Sequence, residues 1–315
     1  MPTGNTDRTS SSRSGLKTAG FFAAMVTLAV VVTLASSALA HPGESRSAGM
    51  AAQTTSSPTP ARTSTTPAPF VTSPVAPTVA PTVAPSAPRR LVTVVGIGDS
   101  VTAGNNCDCQ TYVELYAADL AHERDLKTSA INLGVASGGT SPQLLKSLTQ
   151  PGVLRDQVAK ADILLVTIGA NDLYSLVGTW ESDGCATTCY SPAVENVGHN
   201  IELIVAAARA ARPGHPATIL VTNYWNVFQD GDVGMAQNGG AFAIWSDILT
   251  RAENAEICDG ARRAGATCVD LYQPFKGDGS RNPTSLLATD GDHPNSAGHQ
   301  LIASTLLANT PPEIP

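Results

Sequence analysis

Positive charge is scarce in this chain of 315 residues, where 19 Lys and Arg stand against 26 Asp and Glu for a formal net charge of −7. From Leu91 to Pro315 the imbalance deepens to 12 basic against 24 acidic residues. A surface of that sign repels phosphate, which excludes nucleic acid and makes anionic lipid headgroups poor partners. Cysteine is missing from the first 106 residues, and all six, Cys107, Cys109, Cys185, Cys189, Cys258 and Cys268, fall beyond them. An even number in an exported chain reads as three disulfides. Cys185 with Cys189 and Cys258 with Cys268 would each close a short loop, which leaves Cys107 and Cys109 to pair with each other or to exchange into one of those loops. No histidine stands at ligand spacing beside the cysteines, so a zinc centre is not expected, and neither is any other metal or cofactor.

The first ninety residues offer little from which to build a core. Arg8, Arg13 and Lys17 precede an uncharged run from Ala19 to Ala40 that closes on Ala38-Leu39-Ala40. A basic start, an apolar middle and small residues at alternate positions describe a secretory signal cut after Ala40. The run is also long enough to cross a bilayer, so a retained anchor is the alternative. Either way the rest of the chain lies outside the cytoplasm. Residues 41–90 are Pro, Thr, Ser and Ala, with Ala76-Pro77-Thr78-Val79 repeated as Ala80-Pro81-Thr82-Val83. Such a segment buries too little apolar surface to offset its ordering entropy, and its prolines keep it extended at about 3 Å per residue. It reads as a spacer, either a stalk near a membrane or cell wall or an inert linker.

The 225 residues from Leu91 to Pro315 suffice for one buried core. Leu91 to Gly98 is a β-branched run that breaks at Gly98-Asp99, so Ser100 stands at the carboxyl end of a strand. A loop is expected over Val101 to Gln110, then a helix from Tyr112 to Leu120. Further strands are expected at 129–133, 162–168, 217–223 and 266–271. Helices are expected at 142–160, 192–212, 241–264 and 296–308. Regular alternation of strand and helix predicts a parallel sheet covered on both faces, a flavodoxin-like three-layer α/β/α sandwich with five strands.

The unusual residues fall on the loops after the strands. Asn132 to Thr140 holds three glycines, and Gly138 leaves backbone N–H groups bare in a way that suits an oxyanion. Asn171, in Gly169-Ala170-Asn171-Asp172, can aim its amide at the same spot. Near the end, Asp290 stands three residues before His293, close enough to fix the imidazole as a general base. Asp292 is the competing carboxylate, expected to point away.

Taken together, Gly98-Asp99-Ser100, Ser137-Gly138-Gly139-Thr140, Gly169-Ala170-Asn171-Asp172 and Asp290-Gly291-Asp292-His293-Pro294-Asn295 resemble the four signature blocks of the SGNH (GDSL) hydrolase family, in family order. The Gly-x-Ser-x-Gly elbow of the larger α/β-hydrolases is missing, because Thr102 stands where its second glycine would be. The resemblance implies an esterase or lipase with Ser100 as nucleophile, His293 as base and Asp290 as its partner. It also implies an oxyanion hole of the Ser100 and Gly138 amides and the Asn171 side chain. Gly139 departs from the polar residue that many relatives carry.

Two longer segments, 173–190 and 224–240, follow strands on the same rim, and Tyr174 and Trp225 are expected to line the substrate pocket. His122, His199, His215 and His299 are expected at the surface. The implied substrate is a lipid or acylated-glycan ester, handled by a monomer. An acyltransferase with the same residues and a silent surface-displayed binding module are the competing readings.

Overall fold

The computed structural model describes residues 90–314; the expected signal or anchor and most of the spacer lie outside the described residues. Strand β1 (Leu91–Gly98) leads through a single turn, α1 (Ser100–Ala103), and helix α2 (Tyr112–Arg124) to β2 (Lys127–Gly134). Helices α3 (Ser141–Thr149) and α4 (Val153–Val158) precede β3 (Ile163–Thr167). Helices α5 (Leu176–Asp183) and α6 (Thr187–Ala210) precede β4 (Thr218–Thr222). Helix α7 (Gly231–Arg263) returns to β5 (Thr267–Val269), and α8 (Tyr272–Lys276) and α9 (Ser296–Ala308) close the chain. All five strands are parallel, in the order β2-β1-β3-β4-β5.

This is the doubly wound arrangement expected from the sequence. The crossover from β1 runs one way to β2 and all later ones run the other way, so right-handed connections put α2 on one face and α3, α6 and α7 on the other. The packing agrees, with α9 beside α2 on the first face and α6 against both α3 and α7 on the second. Buried on both faces, β3 and β4 are continuous apolar or β-branched runs, whereas the edge strand β2 is half exposed. Helix α2 starts on a capping box in which the Thr111 hydroxyl accepts from the Val113 amide and Glu114 accepts from the Thr111 amide.

Several boundaries differ from expectation for identifiable reasons. The helix expected over 142–160 is two, because Gln150-Pro151-Gly152 removes an amide donor and interrupts the ladder. Helix α6 begins at Thr187 rather than 192, so Pro192 lies inside it, not at its start; the Cys185–Cys189 disulfide ties down its first turn. Helix α7 reaches back to Gly231 across a break at Gly239, whose φ of 78° is left-handed. The other cysteines pair as Cys107–Cys109 and Cys258–Cys268, which selects the local partner for the first pair. Among the described residues no helix is long and apolar enough to cross a membrane.

His299 corrects the surface assignment. It is fully buried on the inward stripe of α9 with Ile302, Ala303 and Leu306, and its ring stacks on Tyr112. Its Nδ1 accepts the Tyr112 amide at 3.2 Å, which puts the proton of the neutral ring on Nε2. Burial pushes its pKa down to about 4. The unfolded chain therefore binds a proton below pH ~6.5 that the folded chain refuses until about pH 4, so this residue withdraws stability as pH falls through that window. Denaturant unfolding at pH 7 and pH 4 checks this: His299→Asn, which keeps an acceptor for Tyr112, should lose less stability on acidification than the parent, by up to about 3 kcal/mol. Equal losses would contradict it.

Candidate active site

The site stands at the topological switch point, beyond the carboxyl ends of β1 and β3, where crossovers leaving in opposite directions open a crevice. Gly98 ends β1 with φ 153°, and a side chain there would strike the Thr167 carbonyl of β3. Asp99 caps α1, its Oδ1 accepting the Val101 amide at 3.0 Å. Ser100 is thus the first residue of a helical turn, where backbone amides have no intrahelical acceptor.

His293 arrives from the far end of the chain. Its Nε2 lies 2.9 Å from Ser100 Oγ and its Nδ1 2.6 Å from Asp290 Oδ2. Asp290 Oδ1 accepts the amides of Asp292 and His293 at 3.0 and 3.1 Å, so the three-residue spacing lets one carboxylate hold both the backbone and the ring of the same histidine. Asp292 stays 3.9 Å from Nδ1. Burial alone would raise the Asp290 pKa, but hydrogen bonds from the His293 ring, the Asp292 amide and Asn106 together hold it below the ordinary carboxylate value.

The two glycine-rich loops converge on the same place. Gly138 takes a left-handed φ of 78°, with the Asn171 amide group just beyond its missing side chain. The Gly138 amide donates to Val135 O at 3.0 Å and Asn171 Nδ2 to Gly139 O at 3.1 Å, so of the three expected oxyanion donors these two are engaged with the loop itself. Asn171 keeps a second N–H and Ser100 sits at a helix start, which leaves two donors to receive an oxygen directly.

Beneath the site lies a buried polar layer in which Asp99 and Asp172 of the signature blocks hold the turns, joined by Tyr224, Asn254 and Glu253, which the motifs did not reveal. The Tyr224 hydroxyl donates to Asp99 Oδ2 at 2.5 Å, and burial raises the Asp99 pKa to about 6. Tyr224 is itself clamped by Asn254, whose side chain accepts its amide and donates to its carbonyl. Asp172 accepts the Ser141 amide and hydroxyl at 2.8 and 2.6 Å, tying the Asn171 loop to α3. Glu253 lies under Gly169 with neither carboxyl oxygen hydrogen-bonded among the described residues, and burial drives its pKa well above the usual value. The signal for Tyr224 was weak, since one tyrosine after a strand looks like any core aromatic.

A cleft of about 530 Å³ opens over Ser100 and His293, and its lining mixes the apolar Tyr174, Val177, Val227, Phe228 and Phe242 with the polar Asn105, Ser137, Gln229, Asn238 and Asp292. Tyr174 lines the cleft and is 74% exposed. Trp225 does not line this cleft. It is 1% exposed, stacked on Phe275 at 4.4 Å, and reaches only a narrow crevice beneath Ser100. The chain turns its side chain inward and presents Val227 and Phe228 instead.

Cys107, Cys109 and a ring nitrogen of His299 lie within 4.8 Å of one another, which is the geometry of a metal trio. Both sulfurs are joined in a disulfide and His299 Nδ1 is occupied by an amide, so the thiolates and the lone pair that an ion would need are committed elsewhere.

The model of the GDSL-like lipase/acylhydrolase family matches residues 97–301, and the chain belongs to that family. It is accordingly a carboxylic ester hydrolase. Among solved structures it is similar to a lipase from a goat rumen metagenome, at 18% identity over 69% of this chain and 97% of that one, with a TM-score of 0.57. It is also similar to a lipase/acylhydrolase from Enterococcus faecalis, at 18% identity over 69% and 94%, with a TM-score of 0.47. At 18% identity the likeness to the rumen lipase is one of fold. Comparison with curated proteins gives no match.

The Tyr224–Asp99 bond makes a stability prediction. Tyr224→Phe leaves a buried carboxylate oxygen without its donor and should cost about 1–3 kcal/mol in denaturant unfolding. An unchanged midpoint would show that the bond does not support the turn.

Proposed function

We propose that this protein is an exported serine esterase that cleaves carboxylic esters of lipids or acylated glycans through an acyl-enzyme on Ser100. The observation that carries the reading is the unbroken line Asp290 Oδ2, His293 Nδ1, His293 Nε2, Ser100 Oγ, with links of 2.6 and 2.9 Å, opening onto the cleft. In the first half-reaction His293 Nε2 takes the hydroxyl proton as Ser100 Oγ attacks the ester carbonyl. The Ser100 amide and the Asn171 side chain receive the oxyanion, and the Gly138 amide joins them by exchanging its bond to Val135 O. His293 then protonates the departing alkoxide, and the alcohol leaves Ser100 acylated. Water, deprotonated by His293, attacks that ester in turn; the acid departs and Ser100 recovers its proton.

Asp290 keeps Nδ1 protonated, so Nε2 presents a lone pair to Ser100 and the imidazolium is stabilised when it forms. The mixed walls of the cleft support a division of labour, with Phe228, Phe242 and Val177 accepting an acyl chain and Asn105, Gln229 and Asn238 facing a hydroxyl-bearing alcohol. The basic start, apolar run and Ala38-Leu39-Ala40 support export, with residues 41–90 as the spacer.

Two variants test the roles with a p-nitrophenyl ester. Ser100→Ala should lower kcat by about 10⁴-fold or more, and retained turnover would refute the nucleophile. Asn171→Ala should cost about 10²–10³ in kcat with little change in KM; an unaltered kcat would remove it from the oxyanion site.

A further inference from the structure

Between α1 and α2 the chain makes a tight loop, residues 104–110, whose form is set by several restraints. The Gly104 and Asn105 amides fold back onto Val101 O and Ser100 O at 3.2 and 3.0 Å, and the Cys107 amide onto Gly104 O at 3.3 Å. Cys107 and Cys109 are then closed into a disulfide. At the crest sits Asn106 with φ 57°, a left-handed conformation that asparagine tolerates and most residues avoid. Its side-chain Nδ2 lies 2.5 Å from Asp290 Oδ2 and 3.4 Å from His293 Nδ1.

The chemistry fixes the orientation of this amide. A carboxylate can only accept, so the NH₂ end must face it, and the reversed amide would set oxygen against oxygen. Oδ2 then holds two donors, His293 Nδ1–H and Asn106, while Oδ1 holds the amides of Asp292 and His293. With all four donors in place the carboxylate has no freedom to turn away from the ring. The neighbouring Asn105 reaches the other half of the machinery, its Nδ2 donating to Ala136 O at 2.7 Å on the loop that carries Gly138.

We propose that Asn106, held left-handed at the crest of the loop closed by Cys107–Cys109, is a positioning residue that locks Asp290 in register with His293. The proposal rests on the Ser100–His293–Asp290 reading. Asn106 lies outside the residues that line the cleft. Its loss should therefore act on kcat and leave KM alone.

Two substitutions separate positioning from mere loop folding. Asn106→Gly keeps the left-handed backbone and removes the amide; kcat should fall about 10- to 100-fold with KM unchanged within about twofold. Asn106→Asp keeps shape and backbone tolerance but sets a second carboxylate against Asp290, with Asp292 and His293 facing the same space and Asp108 two residues along the loop. It should lose more than Asn106→Gly at pH 8 and recover relative to the parent as pH is lowered toward 5, a signature that a purely structural role would not give. Fluorophosphonate labelling of Ser100 should slow in parallel in both variants. The Cys107→Ser/Cys109→Ser double variant, which frees the crest, should also lower kcat at constant KM.

Turnover like the parent's in both Asn106 variants, with Ser100→Ala inactive, would overturn this proposal alone. Turnover by Ser100→Ala would instead bring down the triad on which it stands. Should Asn106→Gly fail to fold, the pH profile of Asn106→Asp decides: no recovery at low pH overturns the proposal.

Discussion

A buried carboxylate governs the geometry of this molecule. Asp99 leaves β1 at its carboxyl end, caps the single turn of α1 through the Val101 amide and takes the Tyr224 hydroxyl on its other oxygen, all out of contact with water. Taking such a group from solvent is costly unless its lone pairs are filled, so the two bonds act together as the condition for the turn to exist. Because Tyr224 follows β4, the bond ties the ends of two strands across the sheet. Ser100 inherits its position from that arrangement.

The remaining chemistry is brought in from distant parts of the chain. His293 and Asp290 lie almost two hundred residues beyond Ser100, and they reach it because α9 packs beside α2 on one face of the sheet. The last helix is anchored there by His299, whose ring accepts the first amide of α2. Packing on the α2 face therefore sets the distance between Ser100 and His293. On the other face, Asp172 fastens the Asn171 loop to α3 through Ser141, which Asn200 of α6 supports in turn.

The fold was largely legible. Continuous apolar strands separated by helical periods dictate a buried parallel sheet, and once the sheet is parallel its loops share a rim. That argument brought Ser100, Gly138, Asn171, Asp290 and His293 to one place, where the structure also puts them. What escaped depended on direction rather than residue type. Trp225 and Phe228 lie in the same loop, and nothing in their order says which turns inward. His299 was readable from its spacing with Ile302, Ala303 and Leu306, but residue type outweighed periodicity. Asn106 gave no signal, because its role depends on a left-handed crest and a carboxylate 184 residues away. Pro192 marked a helix start on local rules that the Cys185–Cys189 bridge overrides.

In the proposed mechanism ester cleavage passes through a covalent intermediate on one hydroxyl. Rapid acid quench of the protein during turnover of a p-nitrophenyl ester, followed by peptide mapping by mass spectrometry, observes that species directly. The account predicts a mass increase of one acyl group on the peptide bearing Ser100, appearing with the burst of p-nitrophenol. An active preparation that is acylated at another residue, and never at Ser100, would contradict it.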